Sequence, residues 1–418
     1  MFIIEENIDE KKTKIAKELI QHIDNNIEHD HMTDDEENEF LNNLKANNIV
    51  DKDELVSNML KRKALDVKGK LHHKVADKLV IDQCTSVFIK GHKKAITDFV
   101  FSKDDKRIYS VSKDCWILEW DLTNNTKTVF SKGKKHDRTL KNGGHYDEIM
   151  AVDLSRDQKL LATGGKDRLL RIWDTKTRKL ITKFKGHVDT ITSVKFDNEN
   201  DNLYSVSADM TLKIWKTREM VYIDTHHGHF GWIFDLQAYS RDRVITCGDD
   251  RQVIFWKVVE DTQLLYKNTK NDTNCLTILD DEYFCTGSNQ STVDLWSLKK
   301  KKPLHKYTSS HIFNKPSPHK YSNITSINCI RNSDLLATGS IDSTINFYKF
   351  NKGSKKIEIL GVLPTDEEEY IKGTINSIKF SPRRSYMAFC HSDEQRLGRW
   401  FVSKPKNYGM TIVKLAFK

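Results

Sequence analysis

His145, Thr163, Asp167 and Trp173 fall within one short stretch, residues 144–174. A histidine, a hydroxyl and a carboxylate are the ingredients of nucleophilic hydrolysis, in which the acid orients the base and the base activates the hydroxyl. The set is not alone. His92 stands with Asp114 and Trp120, His187 with Asp209 and Trp215, and His229 with Asp250 and Trp256. The histidine precedes the aspartate by 22 residues in the first three sets and by 21 in the fourth. An enzyme needs one such constellation, so its repetition points to a structural unit. The expected arrangement is a chain of hydrogen bonds. The aspartate holds the histidine, and the histidine reaches a strand hydroxyl whose other partner is the indole N–H. Such a chain satisfies buried polar groups that would otherwise cost about 1–3 kcal/mol each. The sequence has no GxxxxGKS/T phosphate loop, no HExxH and no GxSxG elbow, so no catalytic residue, cofactor or metal site is expected.

The elements that carry these sets repeat as well. Gly-His pairs stand at 91–92, 144–145, 186–187 and 228–229. Strand ends fall at Trp120, Trp173, Trp215, Trp256, Trp296, Tyr348 and Trp400, with spacings of 53, 42, 41, 40, 52 and 52 residues. Three long intervals hold expected loop insertions at 124–142, 305–320 and 350–370. Three residues before each aromatic an apolar side chain recurs: Ile117, Leu170, Leu212, Val253, Val293, Ile345 and Leu397. This period of two buries one strand face against a neighbour. Gly-His openings and Trp-Asp endings at about forty residues per unit are the signature of a WD40 blade. The expected fold is therefore all-β, a seven-bladed WD40 propeller over residues 85–418, a ring that leaves only short, protected edges.

Departures from the repeat set further expectations. The fifth unit has Gln290 at the aspartate position and no Gly-His, so its hydrogen-bond chain is broken or rebuilt. The sixth has His311 after Ser310, and the seventh has Glu394 for the aspartate. Glu119 and Arg399 precede the aromatics of units one and seven, neighbours in a closed ring, where the other five units are apolar. They form a candidate ion pair across the closure seam, against the alternative that each faces solvent. Both 85–90 and 410–417 look like strands; the former is favoured as the one that completes the seventh blade.

Charge is unevenly distributed. Residues 1–60 carry 16 acidic and 6 basic side chains, net −10, leaving 62 basic and 43 acidic in the remainder, net +19. The first segment reads as an acidic, partly disordered extension, and 61–84 as a basic helical lead-in with a nuclear-import-like cluster at Lys61, Arg62 and Lys63. A basic body suits a polyanion such as nucleic acid. Seven scattered cysteines without a CxxC pair indicate neither a disulfide framework nor a zinc site, and suit a reducing compartment. No apolar run is long enough to span a membrane, and no secretory leader is evident.

Between the repeat positions, ALDVKGKLHHKVADKL (64–79), GHYDEIMAV (144–152), LATGGKDRLLRIWD (161–174), TGSNQSTVDLWSLKKKKP (286–303) and RLGRWF (396–401) are more specific. Together they resemble the WD-repeat protein family of the U3 small nucleolar ribonucleoprotein. The resemblance implies a non-catalytic platform that binds the box B/C region of U3 small nucleolar RNA beside the kink-turn-binding protein. It implies work with other small-subunit processome proteins in pre-ribosomal RNA processing, in the nucleolus of the nucleus. Candidate RNA contacts are Lys113, Lys166, Arg168, Arg171, Arg251, Lys299, Lys300, Lys301, Lys302 and Arg396, charges expected on loops and strand edges. Arg171 lies two before its Trp, a position that can also be buried between strands. The rival reading is a peptide-binding adaptor of another nuclear complex, gripping its partner on the central face.

Overall fold

The computed structural model describes residues 72–137, 143–197, 202–267, 271–308, 323–363, 373–398 and 409–417. Seven four-stranded antiparallel sheets follow one another around a ring, each innermost strand lying beside the innermost strands of its neighbours. The first blade is built from Ile96–Phe101, Arg107–Ser112, Trp116–Asp121 and Thr126–Lys132, and the second from Ile149–Leu154, Leu160–Gly165, Leu169–Asp174 and Leu180–Lys185. Four more blades follow over 191–227, 233–267, 273–308 and 324–362.

The core lies between blades. Tyr109, Val111 and Ile117 of the first blade pack on Ile149, Val152, Leu161 and Trp173 of the second, and an equivalent layer fills each remaining gap. Strand alternation makes this possible, since each strand sends successive side chains to the two faces of its sheet.

Polar stitches run through the same gaps. Near the start of the innermost strands, a Thr or Asn donates to the carbonyl of an isoleucine in the next blade. Thr97 reaches Ile149 at 2.7 Å, Thr192 reaches Ile233 at 2.6 Å and Asn274 reaches Ile324 at 3.1 Å. Thr325 likewise bonds Ile375, and Asn376 bonds Ile96 at 2.8 Å across the closure of the ring. Further along, carboxylates accept from the next blade's backbone: Asp153 from Phe196 N–H at 2.9 Å and Asp235 from Leu276 N–H at 3.2 Å. Each stitch satisfies a backbone group that neighbouring sheets leave unpaired.

The seventh blade joins both ends of the propeller. Its strands, from the inside outward, are Thr374–Phe380, Tyr386–Ser392, Gly409–Lys414 and Thr85–Ile89. The favoured strand 85–90 thus occupies the outer edge, paired with 410–414, which is the third strand rather than an added edge. This corrects the register counted to Trp400. Met387 faces Val413 as Leu161 faces Trp173, so Val413 holds the aromatic's position, and Ile412, not Arg399, is the counterpart of Glu119. Arg399 lies outside the described residues. Glu119 itself is buried and pairs with Arg107 at 3.2 Å and with Arg178 of the second blade at 2.9 Å, away from the seam.

Two other expectations change. Much of the supposed insertions at 124–142 and 350–370 is outer strand, Thr126–Lys132 and Lys356–Val362, and the strand Lys300–Thr308 runs into the insertion at 305–320. The remainder of 305–320 lies outside the described residues, as do 138–142, 364–370, His311, the extension 1–60 and residues 61–71. Over 72–84 the lead-in forms two three-residue 3-10 turns, Ala76–Lys78 and Ile81–Gln83, not an α-helix. It docks on the sixth blade through Asp334, which accepts from the N–H groups of Val75 at 2.7 Å and Ala76 at 2.9 Å.

Candidate nucleic-acid interface

The loops between the second and third strands of a blade, and those leading from one blade to the next, emerge on the same face of the ring. What ties them is the repeated hydrogen-bond chain. In the second blade His145 Nδ1 lies 2.9 Å from Asp167, His145 Nε2 lies 2.8 Å from the Thr163 hydroxyl, and Trp173 Nε1 donates to that hydroxyl at 2.9 Å. The first blade repeats it with His92, Asp114, Ser110 and Trp120, and the third with His187, Asp209, Ser205 and Trp215. The fourth uses His229, Asp250, Thr246 and Trp256. In every copy the hydroxyl already receives the indole proton and is bonded to the histidine, so it is a strut and not a poised nucleophile. The fifth blade keeps only part of the chain: Trp296 still donates to Thr286 at 2.9 Å, and near the loop Asn271 donates to Thr292, which bonds Ser288, in a separate set.

Burial by itself would raise the Asp167 carboxyl, but His145 and Arg171 outweigh it and hold the group at about 2. Burial in turn lowers His145, against the pull of Asp167, which keeps the imidazole neutral. All seven cysteines are unpaired thiols, and burial pushes Cys115 and Cys329 up to about 12, so they are not thiolate nucleophiles. Among the described residues no His, Cys, Asp and Glu side chains cluster to hold a metal ion, and no helix is long and apolar enough to cross a membrane.

The ten candidate RNA contacts separate into three groups. Lys166 and Arg168 are exposed on the loop face of the second blade, where Arg168 also donates to the Val188 carbonyl at 3.2 Å. Arg251 shares that face in the fourth blade and pairs with Asp272 at 3.0 Å. Lys299, Lys300, Lys301 and Lys302 are also exposed, but they surround the turn between the third and fourth strands of the fifth blade, at the opposite end of the sheet. Lys299 there pairs with Glu282. The structure does not bring these two groups together.

The third group is inward. Arg171 is buried, 3% exposed, and donates to Asp167 at 2.6 Å, to Gly143 O at 2.8 Å and to Gly144 O at 3.2 Å. Lys113 is equally buried; its ammonium meets Glu394 at 3.2 Å and donates to Gln395 O at 2.6 Å. An ion pair therefore does cross the closure seam, made by Lys113 and Glu394. Arg396, half-buried in the same loop of the seventh blade, reaches over the ring to the carbonyls of Thr192 and Phe234, each at 2.9 Å. Sequence reasoning missed the ring of Thr and Asn stitches, although an ITD, ITS, TNC or TIN opening of the innermost strands was visible.

The WD40 family, described as WD domain, G-beta repeat, matches residues 82–121, 135–174, 178–216, 220–257 and 310–349. The U3 snoRNP-associated protein-like YAOH of Oryza sativa subsp. japonica is 32% identical over 391 residues, covering 87% of this chain and 75% of that one. This chain belongs to the U3 snoRNP-associated WD-repeat family. Another similar member, the U3 small nucleolar RNA-interacting protein 2 of Homo sapiens, is 28% identical over 415 residues, 99% of this chain and 83% of its own. The solved "Structure of U3-55K" superposes with a TM-score of 0.72 at 30% identity, over 79% of this chain and 98% of that one. In this chain the second blade presents Lys166 and Arg168 outward on the loop face while its own Arg171 is held inside.

Proposed function

We propose that this propeller is a non-catalytic subunit of a U3-type small nucleolar ribonucleoprotein that binds its RNA and acts in small-subunit pre-ribosomal RNA processing in the nucleolus. Membership of the U3 snoRNP-associated family across the whole propeller carries this reading. The exposed pair Lys166 and Arg168, on a face built from loops, supplies a surface for phosphates. In the finer form of the proposal the RNA is the box B/C region of U3, bound beside the kink-turn-binding protein, within the small-subunit processome. The adaptor alternative is disfavoured by Arg396, which already occupies the central face where such an adaptor would hold its peptide.

The test is a salt titration of RNA binding by the full chain. In K166E/R168E the affinity for a U3 box B/C transcript is expected to fall at least tenfold, with the salt slope reduced by about one for every phosphate that the variant no longer neutralises. K300E/K301E/K302E, at the other end of a blade, is the comparison. RNA binding that neither variant alters would mean that the chain reaches the particle through protein contacts.

A further inference from the structure

The slot directly after each Gly-His pair is filled differently in the second and fourth blades. In the second it holds Tyr146, whose hydroxyl donates to Asp167 O at 3.0 Å, and two residues on stands Glu148, paired with Lys135 at 3.0 Å. Both side chains are tied down. In the fourth blade the same slots hold Phe230 and Trp232, which are 82% and 46% exposed. Gly231 between them lets the loop lie on the neighbouring turn: a Cβ there would sit 3.3 Å from the Asp249 Cβ. The backbone N–H of Asp249 donates to Trp232 O at 2.9 Å, and Phe230 N–H donates to Asp250 at 3.0 Å, so the main chain that carries both aromatics is fixed against that turn.

Asp249 is exposed, and among the described residues its carboxylate makes neither a hydrogen bond nor an ion pair. Partial burial, then the charges of Asp272 and Asp250, raise this carboxyl above its ordinary range, while Arg251 opposes them. Asp249, Asp250 and Asp272 stand together against the single guanidinium of Arg251, so the local charge is negative although the propeller is basic. Two exposed aromatic side chains, on a loop hydrogen-bonded to the turn that carries an unpaired carboxylate, offer a cation π-face and charge together and disfavour phosphate.

We infer that Phe230, Trp232 and Asp249 form a docking site for a lysine or arginine side chain on a basic segment of a partner protein. The site lies on the loop face of the fourth blade, outside the central channel and apart from the cations of the second blade. It adds a protein contact to whatever the blade-two cations bind, and it does not depend on the RNA reading. The aromatic faces supply contact area, and Asp249 supplies the charge that selects a cation over a neutral apolar chain.

Fluorescence anisotropy with the full chain tests it, using labelled ten-residue Gly-Arg and Gly-Lys repeat peptides as probes and a twelve-nucleotide oligouridylate as the competing ligand class. Because Phe230 is largely in solvent and Trp232 nearly half so, F230A/W232A is expected to stay folded with a melting temperature close to the wild type. Its affinity for the basic peptides should fall at least tenfold, and that of D249N about threefold to tenfold, while oligouridylate binding stays unchanged. K166E/R168E should leave peptide binding intact. Peptide binding undiminished in F230A/W232A would overturn the proposal, assigning the peptide to the acidic residues 1–60. Loss of oligouridylate binding in the same variant, with peptide binding retained, would overturn it in favour of base stacking.

Discussion

The second and seventh blades fasten the same loop in different ways. In the second, the turn between the second and third strands is held by its own blade: Asp167 gathers His145 and Arg171, and Thr163 joins His145 to Trp173. In the seventh, no aromatic stands at that position and Val413 fills it; the described part of the loop is tied to its own blade where Asn376 and Ser392 donate to Glu394 O, and is held by other blades as well. Lys113 of the first blade binds Glu394 and Gln395, and Arg396 crosses to the third and fourth blades. A blade in mid-ring can be stabilised from within. The blade that closes the ring is fastened outward as well as from within, and its outward fastenings tie distant blades together.

That contrast can be broken at several points. The largest effect is expected for Lys113→Ala, which removes the cation from a buried pair and the donor to Gln395 O. Urea unfolding should show a loss of about 3–5 kcal/mol, with K113M/E394Q much closer to wild type because no lone charge is left. Equal losses in the two variants would show that the pair does not act as a unit. Next, Asp167→Asn should cost about 2–4 kcal/mol, more than Asp114→Asn, since only Asp167 also anchors a buried arginine. Parity between those two substitutions would remove Arg171 from the account.

Acid should separate the blades as well. Asp167 is held at about 2 against an ordinary 3.8, so its contribution is complete above about pH 4 and is lost as pH falls through 2. The contribution amounts to about 2 kcal/mol. Acid unfolding of Asp167→Asn should lack this component, and an unchanged slope between pH 4 and 2 would contradict it. The smallest effect is expected for Arg396→Lys, which keeps the charge but gives up the planar fork, for about 1 kcal/mol. Amide exchange should quicken at Ile233 and Phe234 while the first two blades stay as they are.

Repetition decided what could be read from the sequence. The seven blades and the His, Asp and Trp positions recur at fixed offsets, so each copy supports the others. Trp400 misled because it sits at the right spacing in a blade whose long loop shifts the true third strand to Gly409–Lys414. Lys113 and Arg171 were legible as charges but not as buried ones; burial depends on a loop from another blade and on two glycine carbonyls, neither of which leaves a side-chain pattern. Arg396 is harder still, because its partners are main-chain oxygens found in any residue. Phe230 and Trp232 were in plain view in the sequence, and only their exposure, against the tethered Tyr146 and Glu148, separates them from core aromatics.

Joining Thr85–Ile89 to Gly409–Lys414 also sets an order of events during synthesis. The first strand of the propeller to leave the ribosome is the last to find its partner, which emerges on the order of tens of seconds later at ordinary elongation rates. Until then Thr85–Ile89 is an unpaired edge, able to pair with another chain as readily as with its own. The six complete blades can assemble in sequence, but the ring becomes a ring only after its final residues are made. A chain truncated just before Gly409 should therefore yield a soluble-looking start and an aggregating product.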